Sequence, residues 1–193
     1  MTVAARWKKF CVRIRADSRK GSAAIEFAFV APIFFALLLG IFEVAIMFFA
    51  QSILQNGVSD MARLIRTGQA QAAGTSQGAF RTALCDKISA LIPCDSNLLV
   101  DVEAFPSYGG VSYASPFNSG ATQNTTQRTL NTGLNNYSTG NACDVVLVRV
   151  FYTWPLFTPG LTSYLANVAG GKYLLSAATS FRNEPFNNNA AGC

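Results

Sequence analysis

The stretch GSAAIEFAFVAPIFFALLLGIFEVAIMFFA, residues 21–50, decides the architecture of this chain. Phe27 to Phe42 is a run of 16 residues without a charge, and from Ser22 to Ala50 only Glu26 and Glu43 are ionisable. As a helix rising about 1.5 Å per residue, the longer segment spans roughly 43 Å, more than the roughly 30 Å hydrocarbon core of a bilayer. One membrane-crossing helix is therefore expected over residues 22–50. No second segment qualifies: Val145 to Tyr152 is short and contains Arg149, and Tyr164 to Ala178 is broken by Gly170, Gly171 and Lys172. A charge in hydrocarbon costs about 2.5–3.5 kcal/mol on insertion scales, so Glu26 and Glu43 call for compensating partners.

Charge outside the span is sharply divided. Residues 1–20 hold seven lysines and arginines against Asp17 alone, whereas the rest of the chain holds eight basic and nine acidic side chains. Residues 1–21 thus read as a basic cytoplasmic leader, and the positive-inside rule places the C-terminal part across the membrane. The sequence pI near 9.1 belongs to that leader. The remainder is almost neutral and lacks the basic stripe that a phosphate backbone requires, which argues against nucleic acid as a partner. The apolar run is also longer than the h-region of a secretory signal and is followed by Glu43 and bulky Met47, Phe48 and Phe49. Cleavage near Ala50 stays open as a second reading, and cleavage between Gly21 and Ser22 as a third.

The third arrangement carries a resemblance. Gly21-Ser22-Ala23-Ala24-Ile25-Glu26-Phe27 is similar to the processing region of type IV pilin-like proteins, with glycine before the cut and glutamate five residues after it. With Pro32, Gly40-Ile41-Phe42-Glu43, the Ala62-Arg63 pair, Arg66-Thr67-Gly68 and the late Arg182-Asn183-Glu184-Pro185, the chain resembles the TadE-like family, pseudopilins of the tight-adherence (Tad, Flp) pilus system. The resemblance covers residues 20–70 best, and 74–141 match nothing. It implies a bacterial inner-membrane protein with a periplasmic head, cut by a prepilin peptidase at Gly21 and Ser22. Its implied partners are the bilayer, other pilin or pseudopilin subunits and the Tad assembly platform. Glu26 would pair with the α-amine of a neighbour's Ser22, Ala36-x-x-x-Gly40 would allow close helix approach, and Glu43 joins them as a candidate docking residue. A solely structural role remains for both carboxylates, Glu26 beside Arg19 and Lys20, and Glu43 snorkelling to the far headgroup layer.

Past Ala50 the helical pattern continues but becomes one-sided. Ile53, Leu54, Val58, Met61, Leu64 and Ile65 fall on one arc, with Gln55, Asn56, Ser59, Asp60, Arg63 and Arg66 opposite. Residues 51–68 are expected to extend the spine, ending at Gly68, with a small polar linker over 69–78. The exported head, 77–193, should contain a helix over 80–92, a strand over 98–104, a long loop over 106–141, a strong strand over 144–154, a short helix after Gly160 and a strand over 172–182. The expected class is α+β: a transmembrane and amphipathic spine helix packed on a small antiparallel sheet head, as in pilins.

Five cysteines divide by membrane side. Cys11 lies in the leader, and Cys85, Cys94, Cys143 and Cys193 form an even set in the exported part. Three pairings are possible; Cys85 with Cys94 around Pro93 is favoured by spacing, which leaves Cys143 with Cys193. Metal ligation by the four thiols is the weaker alternative, because they contain no C-x-x-C pair. With no histidine anywhere, Ser-His and Cys-His nucleophiles and His-based zinc sites are excluded, and no catalytic residue, metal or cofactor is expected. Asp101 and Glu103, two apart on a strand, read as a solvated strand face. Tyr108, Tyr113, Phe117 and Tyr137 read as exposed loop aromatics that contact a subunit or surface or pack singly on the head.

Overall fold

The computed structural model describes residues 3–118, 128–158 and 160–186, with the backbone alone for residues 3–20. The first helix, α1 (Val3–Arg66), runs without interruption through Pro32. The chain divides into two compact units, residues 1–42 and 43–193.

In the first unit, residues 21–42 expose apolar side chains around the helix, among them Phe27, Phe29, Ile33, Leu37 and Ile41. A helix apolar on all sides requires an apolar solvent or neighbouring helices. Its 22 residues correspond to about 33 Å, close to the thickness of a hydrocarbon core. Among the described residues, this is the one helix long and apolar enough to cross a membrane.

The second unit begins at Glu43. From here α1 buries one stripe, including Met47, Ala50, Leu54, Val58, Met61 and Ile65, at spacings of three or four. Gly68, with φ 77°, turns the chain out of the helix, its N–H donating to the Ile65 carbonyl at 3.0 Å. The expected linker contains a single helical turn, α2 (Gln69–Ala72), whose Ala70 is buried.

Helix α3 (Gln77–Ile88) starts where the Ser76 hydroxyl accepts the Ala79 N–H, and it buries Phe80, Leu84 and Ile88. It packs on α1 at Gly57, where an added Cβ would lie 2.8 Å from Ile88 Cγ2 and 3.2 Å from Leu84 Cδ1. An exposed ion pair, Lys87 Nζ to Asp60 Oδ2 at 2.8 Å, closes the edge of that contact. The hydrogen bond and charge of Lys87 hold the Asp60 carboxyl below its ordinary pKa.

Strands β1 (Leu98–Phe105), β2 (Val145–Pro155) and β3 (Lys172–Arg182) form one antiparallel sheet in the order β1-β2-β3. Even-numbered residues of β1 and β2 and odd-numbered residues of β3 face the helices: Val102, Val148, Val150, Tyr152, Leu175 and Ala177 share one core with Leu54, Val58 and Phe80. The α+β class and the helix-on-sheet arrangement are as the sequence led us to expect. The opposite sheet face is also covered, by Leu134, Phe151, Val168 and Leu174 with Leu99, Phe117 and Leu130 packed beside them. Short α4 (Thr162–Leu165) lies in the connection between β2 and β3.

Gly57→Val should destabilise the head by about 1–3 kcal/mol, since β-branched bulk at this contact forces α3 away from α1. A lowered denaturation midpoint in detergent, with Gly78→Ala as a control in open space, checks this.

Candidate functional site

Two clusters of charged residues stand out, one on each side of residue 43. In the helix, Glu26 is exposed and its Oε1 accepts the Ser22 hydroxyl at 3.1 Å, one turn earlier. Gly21 is exposed with open space around it, Ala36 is exposed and Gly40 is buried. The segment around the proposed cut is thus accessible, and Glu26 meets no cation among the described contacts.

Glu43 is different. It is 6% exposed, and its two carboxylate oxygens accept the backbone N–H groups of Phe157 at 2.5 Å and Thr158 at 3.0 Å. Instead of snorkelling to a headgroup layer, it caps two donors in the loop after β2, more than a hundred residues further along the chain. Charge-assisted bonds of this kind contribute about 1.5–3 kcal/mol each. Its partner therefore lies within its own head.

The second cluster overturns the solvated reading of Asp101 and Glu103. Asp101 on β1 is fully buried and lies directly across from Arg149 on β2. Arg149 donates to Asp101 Oδ2 from Nε at 3.0 Å and from Nη2 at 2.6 Å, to Glu103 Oε1 at 3.1 Å, and to the Ala114 carbonyl from Nη1 at 2.9 Å. Asn136 completes the set: its backbone N–H and side-chain amide donate to Asp101 Oδ1 at 3.0 and 3.1 Å, and the amide also reaches Glu103 at 3.1 Å. The loop covers this face and excludes water from it, which is why Asp101 is not on a wet surface. Burying an ion pair is favourable only when the remaining lone pairs and protons are also satisfied, as they are here.

Of the four loop aromatics, two pack on the head, one of the alternatives the sequence left open. Tyr108 and Tyr113 are exposed, but Phe117 packs on the second core, and Tyr137 pairs in parallel with Val102 and contacts the Phe80 ring at 5.6 Å between centroids. Burial pushes the Tyr137 phenol above its ordinary pKa. Sequence reasoning missed Arg149 and Asn136 as members of the network. A lone arginine within the most apolar strand was the available signal.

A third set gathers residues far apart in sequence. Arg66 Nε lies 3.2 Å from Glu184 Oε1, and the Glu184 N–H donates to the Arg66 carbonyl at 2.9 Å. Phe186 covers Gly68 so closely that a Cβ there would fall 2.3 Å from its ring. The late Arg182-to-Pro185 segment thus returns to the end of α1.

Residues 21–63 match the family model of TadE-like proteins. The TadE-like resemblance is thereby shown over the helix from Gly21 to Arg63, while the sheet and the network just described lie outside the matched residues. No curated protein and no solved structure matches the chain. Cys85 and Cys94 are joined in a disulfide that ties the end of α3 to the turn before β1. The proposed partner of Cys143, Cys193, lies outside the described residues. Among the described residues, no group of three or more His, Cys, Asp or Glu is placed to hold a metal ion.

Asp101→Ala should cost about 3–5 kcal/mol of head stability, because buried Arg149 loses its two bonds to Asp101 and keeps only the more exposed Glu103 as counter-ion. The double variant Asp101→Leu, Arg149→Met should recover most of that loss in a denaturant-unfolding cycle. For the other cluster, Glu43→Ala should raise hydrogen exchange of the Phe157 and Thr158 amides by at least about tenfold, as expected when a charge-assisted bond of over 1.4 kcal/mol is lost. Mass-spectrometric exchange with the β2 amides as internal reference reads this directly.

Proposed function

We propose that this protein is a pseudopilin or minor pilin that acts in assembly of a Tad-type pilus used in surface adherence. The observation that carries the reading is the TadE-like match over residues 21–63, the part that holds the membrane-length helix, Gly21, Ser22 and Glu26. On this reading a prepilin peptidase removes the basic leader after Gly21, the leader side is cytoplasmic, and the head stands in the periplasm. It engages the inner-membrane assembly platform and other pilin-like subunits through its helix.

Glu26 supplies the docking term. A carboxylate within the apolar layer without a cation is costly, so a neighbour presenting an α-amine removes a penalty of a few kcal/mol and fixes the axial register of adjacent helices. Ala36 and Gly40 allow those helices to approach closely. Glu43 is occupied by its own head and serves the subunit rather than the contact between subunits.

Glu26→Ala should leave membrane insertion intact and lower surface piliation at least about tenfold, the equivalent of 1.4 kcal/mol in docking. Mass spectrometry of the mature N-terminus accompanies it. A start at Ser22 supports the reading, whereas an intact Met1 with normal piliation of the variant identifies a tethered module that never polymerises. A start near Gln51 identifies a secreted protein.

A further inference from the structure

The loop that Glu43 holds has a surface the pilus reading does not use. Phe157 and Tyr164 are 72% and 87% exposed, although the backbone beside each is ordered by bonds from Glu43 and within α4. From Pro155 to Gly171 the sequence has no Asp, Glu, Lys or Arg. Thr158, Ala166 and Val168 of this stretch are buried, so its two exposed aromatic rings stand on an anchored connection with no charge beside them.

Its position follows from the Glu43 bonds. The Phe157 and Thr158 amides are bonded to the Glu43 carboxylate, and the helix around Glu43 exposes Ile41, Phe42, Ile46, Phe48 and Phe49, with no polar residue after it before Gln51. The loop is therefore fastened to α1 within its apolar stretch. Phe48 and Phe49, also exposed, lie about 8–9 Å further along the helix before polar Gln51. That distance is comparable with the headgroup layer, roughly 5–8 Å on each side of the hydrocarbon.

We propose that Phe157 and Tyr164 form a second membrane contact, entering the headgroup–acyl boundary of the same bilayer that α1 crosses. The proposal rests on the reading of residues 21–42 as the membrane span. Aromatic rings concentrate at this depth because the ring takes the apolar side and, for tyrosine, the hydroxyl takes the wet side. A lipid surface fits this loop better than a second protein, because a protein interface surrounds its apolar centre with a polar and charged rim, and this loop offers no charge for one. The Glu43 bonds give the contact its function. By satisfying the two amides at the loop's base, they remove the cost of bringing a backbone with open donors towards the apolar layer.

The test uses the full chain in bilayer nanodiscs of phosphatidylcholine and phosphatidylglycerol. The photoreactive analogue benzoylphenylalanine is placed singly at position 157, 164, 34 or 113, and mass spectrometry identifies the adducts. Phe34 reports the span, and exposed Tyr113, on the loop over the opposite sheet face, reports the aqueous background. Lipid adducts at 157 and 164 should exceed those at 113 by roughly tenfold, as for a group at the headgroup–acyl boundary against one in water. Glu43→Ala should reduce the yield at 157. Lipid adducts at 34 with only background at 157 and 164 would sink the proposal and leave the span intact. Absence of adducts at 34 would remove the span and the proposal together. Adducts at 157 or 164 to another copy of the chain would replace the lipid by a subunit contact. Retention of the Cys85–Cys94 disulfide in each labelled chain verifies that the head has folded.

Discussion

One helix in this protein has to satisfy two solvents, and residue 43 is where the requirement changes. Before it, apolar side chains point in every direction; after it, only the stripe from Met47 to Ile65 is apolar and buried. A continuous helix cannot change its backbone at that point, so the change has to be made by side chains. Glu43 makes it with a carboxylate that would be expensive in either apolar setting and is instead spent on two amides of the head. The loop after β2 is thereby fastened to α1 at Glu43, in addition to the packing of the stripe on the sheet.

The sheet has its own version of the same economy. One face packs on the helices with an all-apolar pattern, as alternation in β2 and β3 requires. The other face has to be closed by a loop rich in Ser, Thr, Asn and Gly, which has little apolar surface to offer. A buried Asp101–Arg149 pair, with Glu103 and Asn136 around it, gives that loop polar contacts to hold it where hydrophobic ones are few. The Cys85–Cys94 bridge adds a covalent restraint on the neighbouring turn.

Much of this was legible in residue order because the signals were local. The period of the apolar residues gave the spine helix to within two residues of its end at Arg66, alternation gave β1, the run of Val, Phe, Tyr and Trp gave β2, and Gly68 marked the turn out of the helix. Alternation also placed Asp101 and Glu103 on one face. It could not say whether the face was wet, because that depends on Arg149 and Asn136, which lie 48 and 35 residues from Asp101. Glu43 was unreadable for the same reason, with its partners 114 and 115 residues away. The return of Glu184 to Arg66 had no signal in residue order, since no periodic pattern links two such distant positions.

The buried pair also bears on how the head reaches its native strand alignment. β1 and β2 are separated by forty residues, so no tight hairpin sets their register, and slow, non-local pairing invites slippage. Sliding β1 by one position would turn Asp101 towards the greasy side of the sheet and strand Arg149 opposite a hydrophobe. Misaligned forms are therefore penalised by an unpaired ion on each strand. The salt link thus acts as a key to register, satisfied in one strand alignment and broken in its neighbours.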